Sequence, residues 1–102
     1  MAFTGNEDCT IDINDAAALN KNFRENFKGQ PLGIYFSQAT LHDVLNQEDC
    51  VGIRFYFAAD TDGQLTLTFT GVTEDENDIL GIIGDNGIKC PASCSSANVL
   101  NS

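Results

Sequence analysis

The sequence predicts an α+β fold, with two helices packed on a small mixed sheet of three or four strands. Three observations carry this. "IDINDAAALNKNFRENF" repeats apolar residues at helical spacing, "QLTLTFT" alternates apolar and polar residues at strand spacing, and "DTDG" is a turn joining that strand to the apolar "VGIRFYFA". The chain of 102 residues is read as a single domain, 1–102, with room for one modest core. Its lead-in (1–10) and its tail (90–102) are expected to be loosely structured.

In the first helical segment Ala16, Leu19, Asn20, Phe23 and Phe27 share a face. Asp12 is the expected N-cap, with Asp15 three residues on, and Gly29 and Pro31 end the helix. Phe23 and Phe27 are expected to be buried against the sheet. Lys21, Arg24 and Lys28, three of the five basic residues, form a stripe beside the apolar face. They are the candidates for docking an acidic partner or a neighbouring copy; complementation of the helix dipole and local ion pairs are the plainer explanation.

"LGIYF" reads as a short strand, with Leu32, Ile34 and Phe36 on one face and Tyr35 on the other. "SQATLHDVLNQ" reads as a short helix capped by Ser37 or Thr40, with Leu41, Val44 and Leu45 inward. In "VGIRFYFA", Val51, Ile53, Phe55 and Phe57 are expected inward. Strand, helix and strand in that order suggest a right-handed crossover between parallel strands.

The hairpin register follows from parity. Residues facing each other across a strand pair share a sheet face, so apolar must oppose apolar. A two-residue loop, Asp62-Gly63, would set Phe57 opposite Thr68 and mix the faces. A three-residue loop, Thr61-Asp62-Gly63, sets Phe57 opposite Leu67 and Phe55 opposite Phe69, and places Gly63 where a left-handed residue is needed. After Gly71 the chain turns acidic in "GVTEDENDIL". An edge strand is expected from Ile79 to Ile83, and "PASCSSANVLNS" has no periodicity.

Fifteen acidic residues against five basic give a net charge of −10. Such a surface repels nucleic-acid backbones and anionic membranes. It serves solubility, cation binding or a basic protein partner. No apolar run approaches the ~20 residues of a membrane span. "MAFTGNEDC" lacks the basic and apolar regions of a secretion signal, so cytoplasm is the default expectation.

Chemistry is sought first in "CPASC". The cysteines are Cys9, Cys50, Cys90 and Cys94. One close pair argues against a four-thiolate zinc site, and three intervening residues depart from a thioredoxin-type redox motif. Reduced thiols, a disulfide from Cys90 to Cys94 or Cys50, and a metal or redox role all stay open. Cys90 and Cys94 are the thiol candidates, expected close together, with Lys89 the only nearby cation and the tail folded back through Val99 or Leu100. Asp60, Asp62, Asp75 and Asp78, in loops that also hold Glu74, Glu76 and Asn77, are the metal candidates. The order "DTDGQLTLTFTG" fails the EF-hand pattern, and turn chemistry and solvation explain the same acids. His42 is the single histidine and has no catalytic constellation around it in sequence. No cofactor is expected.

The stretches "GIRFYFA…DG" and "NDIL" and the tail "CPASCSSANVLNS" together resemble small uncharacterised single-domain proteins of Bacteroidetes with a Cys-Pro-x-x-Cys-Ser tail. The resemblance implies no activity and carries over no catalytic residue; it implies that Cys90, Pro91 and Cys94 are a shared feature. The expected role is a small acidic binding or interaction protein without catalysis, with a protein partner or self-association. The alternative is a thiol- or metal-dependent function centred on Cys90 and Cys94.

Overall fold

The computed structural model describes residues 2–101. The elements in order are α1 (Ile13–Asn26), β1 (Gly33–Tyr35), α2 (Gln38–Leu45), β2 (Gly52–Ala59), β3 (Leu65–Val72), β4 (Asp78–Gly84) and β5 (Ile88–Cys90). The class is α+β, with the strands divided between a three-stranded antiparallel sheet, order β2-β3-β4, and a two-stranded antiparallel ribbon of β1 and β5. The chain forms two compact units: residues 2–8 with 36–87, and residues 9–35 with 88–101.

The first unit contains the sheet and α2. The β2–β3 register is the one that parity demands, with Phe55 opposite Phe69 and Phe57 opposite Leu67. Its turn also follows the expectation. Gly63 has φ +81°, Gly63 N–H donates to Asp60 O at 2.9 Å, and Asp60 N–H donates to Gln64 O at 2.9 Å. The β3–β4 turn repeats this pattern: Glu76 N–H donates to Thr73 O and Thr73 N–H to Asn77 O, with Glu76 at φ +69° in the place of the glycine. Ser37 caps α2 by accepting from Thr40 N–H at 3.2 Å. At the other end of α2, Gln47 donates to Val44 O and accepts from Ile82 N–H, which ties this end to β4.

The core of this unit is small. Phe69 and Val44 are fully buried and Val72 nearly so. The Phe69 ring meets Phe36 edge-on at 4.8 Å and Phe55 at 5.1 Å between centroids. It lies over Gly84, which stands opposite it on β4, and a Cβ built at Gly84 would overlap the ring. Glycine is required there by close approach. Leu41 is half-buried and Leu45 exposed, so only Val44 of the three expected inward positions is fully closed.

The second unit has no such centre. Asp12 caps α1 by accepting from Asn14 N–H at 2.9 Å, and Gly29 lies just past the helix end with φ +88°. Yet α1 has no buried residue. Phe23 is half-buried and Phe27 is 57% exposed, stacked on Phe23 at 5.0 Å. The expectation that both rings are buried is therefore corrected: helical spacing gathers them on one face but does not supply a covering element. The parallel crossover is corrected too. β1 pairs with β5, Ile34 facing Lys89, and among the described residues β2 pairs only with β3. The two-residue-period pattern of "LGIYF" is satisfied by a short ribbon whose other strand, "IKC", is too brief to announce itself.

Candidate functional site

β2 is an edge strand, having β3 on one side and, among the described residues, no strand on the other. Its sequence Gly52–Ala59 places three aromatics in a row. Phe55 is 45% exposed, Tyr56 43% and Phe57 84%. Phe55 and Phe57 point to the sheet face that carries Phe69, and Tyr56 points to the other. The expectation that Phe57 lies in the core is corrected: its cross-strand partner is the expected Leu67, but nothing lies over it. Parity fixes a face and leaves its cover undetermined.

On the Tyr56 face a polar network crosses all three strands. Arg54 Nη1 of β2 donates to Asp78 Oδ1 of β4 at 2.5 Å, Thr70 of β3 donates to the same oxygen at 3.1 Å, and the Tyr56 hydroxyl donates to Oδ2. Arg54 Nη2 also reaches Glu76 O at 3.3 Å. The Tyr56 hydroxyl, more than the bonds from Thr70 and Arg54, holds the Asp78 carboxyl below the usual carboxylate range, against partial desolvation. These bonds engage both oxygens of Asp78 within the sheet's own side-chain network.

The other acidic candidates serve turns or face solvent. Asp60 Oδ1 accepts from the N–H groups of Asp62 and Gln64 at 2.9 and 3.0 Å, a side-chain cap on the hairpin loop. Asp62 and Asp75 are exposed. The structure does not bring the four together, and among the described residues no group of three or more His, Cys, Asp or Glu is placed to hold a metal ion. His42 is exposed on α2.

In the second unit Cys90 and Cys94 are joined by a disulfide, with Cα atoms 4.7 Å apart. Cys9 is a free, exposed thiol; the free Cys50 thiol is half-buried and donates to Gly52 O at 3.2 Å. From Cys94 the tail turns back, stitched by Asn98 and Asn101 side chains to Ser95 and Ser96. Arg24 Nη1 then donates to Leu100 O at 3.0 Å, and Leu100 joins Phe23 and Leu32 around a small cavity of about 50 Å³. A wider open groove of about 350 Å³ is lined by Leu32, Tyr35, Ile88, Cys90 and Ser93 among others. The tail does fold back on Leu100, as expected. The Lys21–Arg24–Lys28 stripe is altered by it: Arg24 is half-buried and engaged by the tail, while Lys21 and Lys28 remain exposed.

The aromatic edge was missed as a site in the sequence. Its signal was present. "FYF" breaks the alternation that a one-face strand keeps, and no Lys or Pro guards the strand. No protein-family model, curated protein or solved structure matches the chain. Among the described residues no helix is long and apolar enough to cross a membrane.

Proposed function

We propose that the chain is a small acidic interaction protein, without catalytic activity, that binds a protein partner through the aromatic strand β2. The observation that carries this is Phe57, 84% exposed on a regular strand beside two further exposed aromatics. Leaving such a side chain in water forgoes about 1.5–3 kcal/mol of burial, which a covering partner would recover. A net charge of −10 favours a basic partner and disfavours nucleic acid. The test is site-specific photo-crosslinking in cells, with the reactive group at position 57 and, as a control, at Asn46 on the exposed end of α2. Adducts of defined mass at 57 and none at 46 are expected. Equal labelling at both positions, or none at 57, would remove the reading.

A second reading, a thiol-dependent role, is supported by the Cys90–Cys94 bond. Taking cytoplasm as the working compartment, such a bond is transient and redox-responsive rather than a permanent staple. A cellular dithiol would reduce it with two electrons and two protons, giving two thiols and the oxidised reductant. Metal binding by these sulfurs would require that reduction first. The likeness to small Bacteroidetes proteins would make the bonded pair a shared feature of that group. Thiol trapping and peptide mapping decide this: a pair that stays fully oxidised under cytoplasmic glutathione would set it aside.

A further inference from the structure

We infer that β2 binds its partner by strand addition, and that the strand added is an extended apolar segment with Lys or Arg at its ends. This rests on the interaction reading above and names the mode and chemistry of that same site. The backbone geometry comes first. Asp60 N–H bonds the Gln64 carbonyl directly opposite. In an antiparallel ladder, hydrogen-bonded and non-hydrogen-bonded pairs alternate, so Ala58, Tyr56 and Arg54 turn their backbone groups toward β3. Ile53, Phe55, Phe57 and Ala59 therefore turn theirs outward, along an edge that no strand occupies among the described residues.

Protein edges are commonly guarded by Lys, Pro, bulges or inward charges. β2 has no Lys or Pro, and its ladder with β3 runs without a register shift from Gly52 to Ala59. Its one charge, Arg54, is drawn across the sheet to Asp78. By contrast β4, the opposite edge, has a register irregularity, and Gln47 holds its Ile82 N–H. β2 is thus the regular, unguarded edge of the sheet.

Charge selects the occupant. Glu48 and Asp49 lie just before β2, and Asp60 and Asp62 just after it. A second copy of the chain is disfavoured, because pairing two β2 edges in either direction sets acids of one copy beside acids of the other, on partners that each carry −10. A foreign strand with basic ends meets opposite charge at both. Its outward bonds would go to Phe55 and Phe57, its apolar side chains on one face would cover those two rings, and the other face would meet Tyr56.

The probe is a synthetic fluorescent peptide of alternating Val and Thr with lysines at both ends; the control carries glutamates there. The basic peptide should bind about tenfold or more tighter than the acidic one, and added salt should narrow the gap. On binding, amide exchange should slow at Phe55 and Phe57 and change little at Tyr56, whose N–H faces β3. Phe57→Ala should weaken binding by about tenfold through lost ring burial. Phe57→Pro also removes an outward N–H while leaving the β3 ladder, so it should cost about fivefold more. Should that variant fail to fold, the amide exchange of the unaltered protein decides alone. Binding without slowed exchange at Phe55 and Phe57 overturns strand addition and leaves face docking at position 57 standing. Binding that ignores Phe57→Ala overturns both readings. Absence of peptide binding overturns the strand-addition inference, and the crosslinks at 57 then judge the broader reading. Self-association abolished by Phe57→Ala would make a second copy the occupant and overturn the choice of partner.

Discussion

The two units hold themselves together by different means. The unit containing the three-stranded sheet has a closed centre at Phe69 and Val44, with Val72 nearly buried on the opposite sheet face, and β2 and β3 are joined by a regular ladder. In the unit containing α1 and the β1–β5 ribbon, only Pro31 is buried among the described residues, and order comes from a helix cap, a disulfide and hydrogen bonds to the tail. The first is an apolar core with polar trim; the second is a set of cross-links around half-exposed side chains. Local openings follow such differences, since segments with few buried apolar contacts open at lower free energy. Substitutions should therefore act through burial in one unit and through tethers in the other.

The largest expected effect tests the closed centre. Phe69→Ala should cost about 3–5 kcal/mol, because the ring is fully buried and two neighbouring rings and Gly84 cannot fill the space. Denaturant unfolding measures it, and amide exchange should show the loss in β2, β3 and β4. A cost under about 1 kcal/mol would show that this unit has no more of a core than the other.

Next comes the tether. The Cys90–Cys94 bond closes a loop of sequence separation 4, so chain entropy gives it about 2 kcal/mol at most. Cys94→Ser should lower protection in β5 and free Leu100 from Arg24, while the β2–β3 ladder keeps its own. Amide exchange of Lys89 and Cys90 against that of Thr68 is the measurement. Equal loss at both places would erase the distinction between a tethered and a core-held unit.

The two hairpin loops give a smaller effect, with opposite signs. Gly63 and Glu76 occupy the same left-handed position of matching turns. A side chain there costs about 1–2 kcal/mol, more if β-branched. Gly63→Val should destabilise by about that amount and Glu76→Gly should stabilise by about 1 kcal/mol or less, after the extra chain entropy of glycine. Thermal midpoints moving the same way for both would show that the backbone position is not what the two turns share.

These contrasts also mark what the sequence could disclose. The hairpin was legible because parity, loop length and Gly63 are local and agree; the caps Asp12 and Ser37 were legible because each bonds within three residues of itself. The ribbon was not, because Ile34 and Lys89 are far apart in sequence and a three-residue strand has no period. Exposure was not legible either. Phe57 and Phe69 look alike as apolar members of alternating strands, and only the placement of Phe36, Phe55 and Gly84 separates a buried ring from a bare one. The Asp78 network drew on four residues from three strands, so "NDIL" looked like the end of an acidic run.

The smallest effect is electrostatic and belongs to the first unit. Asp78 binds a proton less readily in the folded chain than the ordinary aspartate value of 3.8, first because of the Tyr56 hydroxyl. Glu7 is lowered in the same direction, first by the Thr4 N–H, which donates to it at 2.8 Å. For a carboxylate lowered in the folded state, the unfolded chain takes up the proton first as the solution is acidified. The stabilisation is therefore complete above the unfolded value and is lost as pH falls through the folded one. Acid should weaken exchange protection in β2–β4, and Asp78→Asn should flatten that dependence. The network remains partly open to water, with the Arg54 side chain 35% exposed, so salt should blunt it too. If the acid dependence survives both Asp78→Asn and Glu7→Gln, the carboxylates that matter lie elsewhere. The Tyr56 face of the sheet would then be closed by packing over Thr70 rather than by charge.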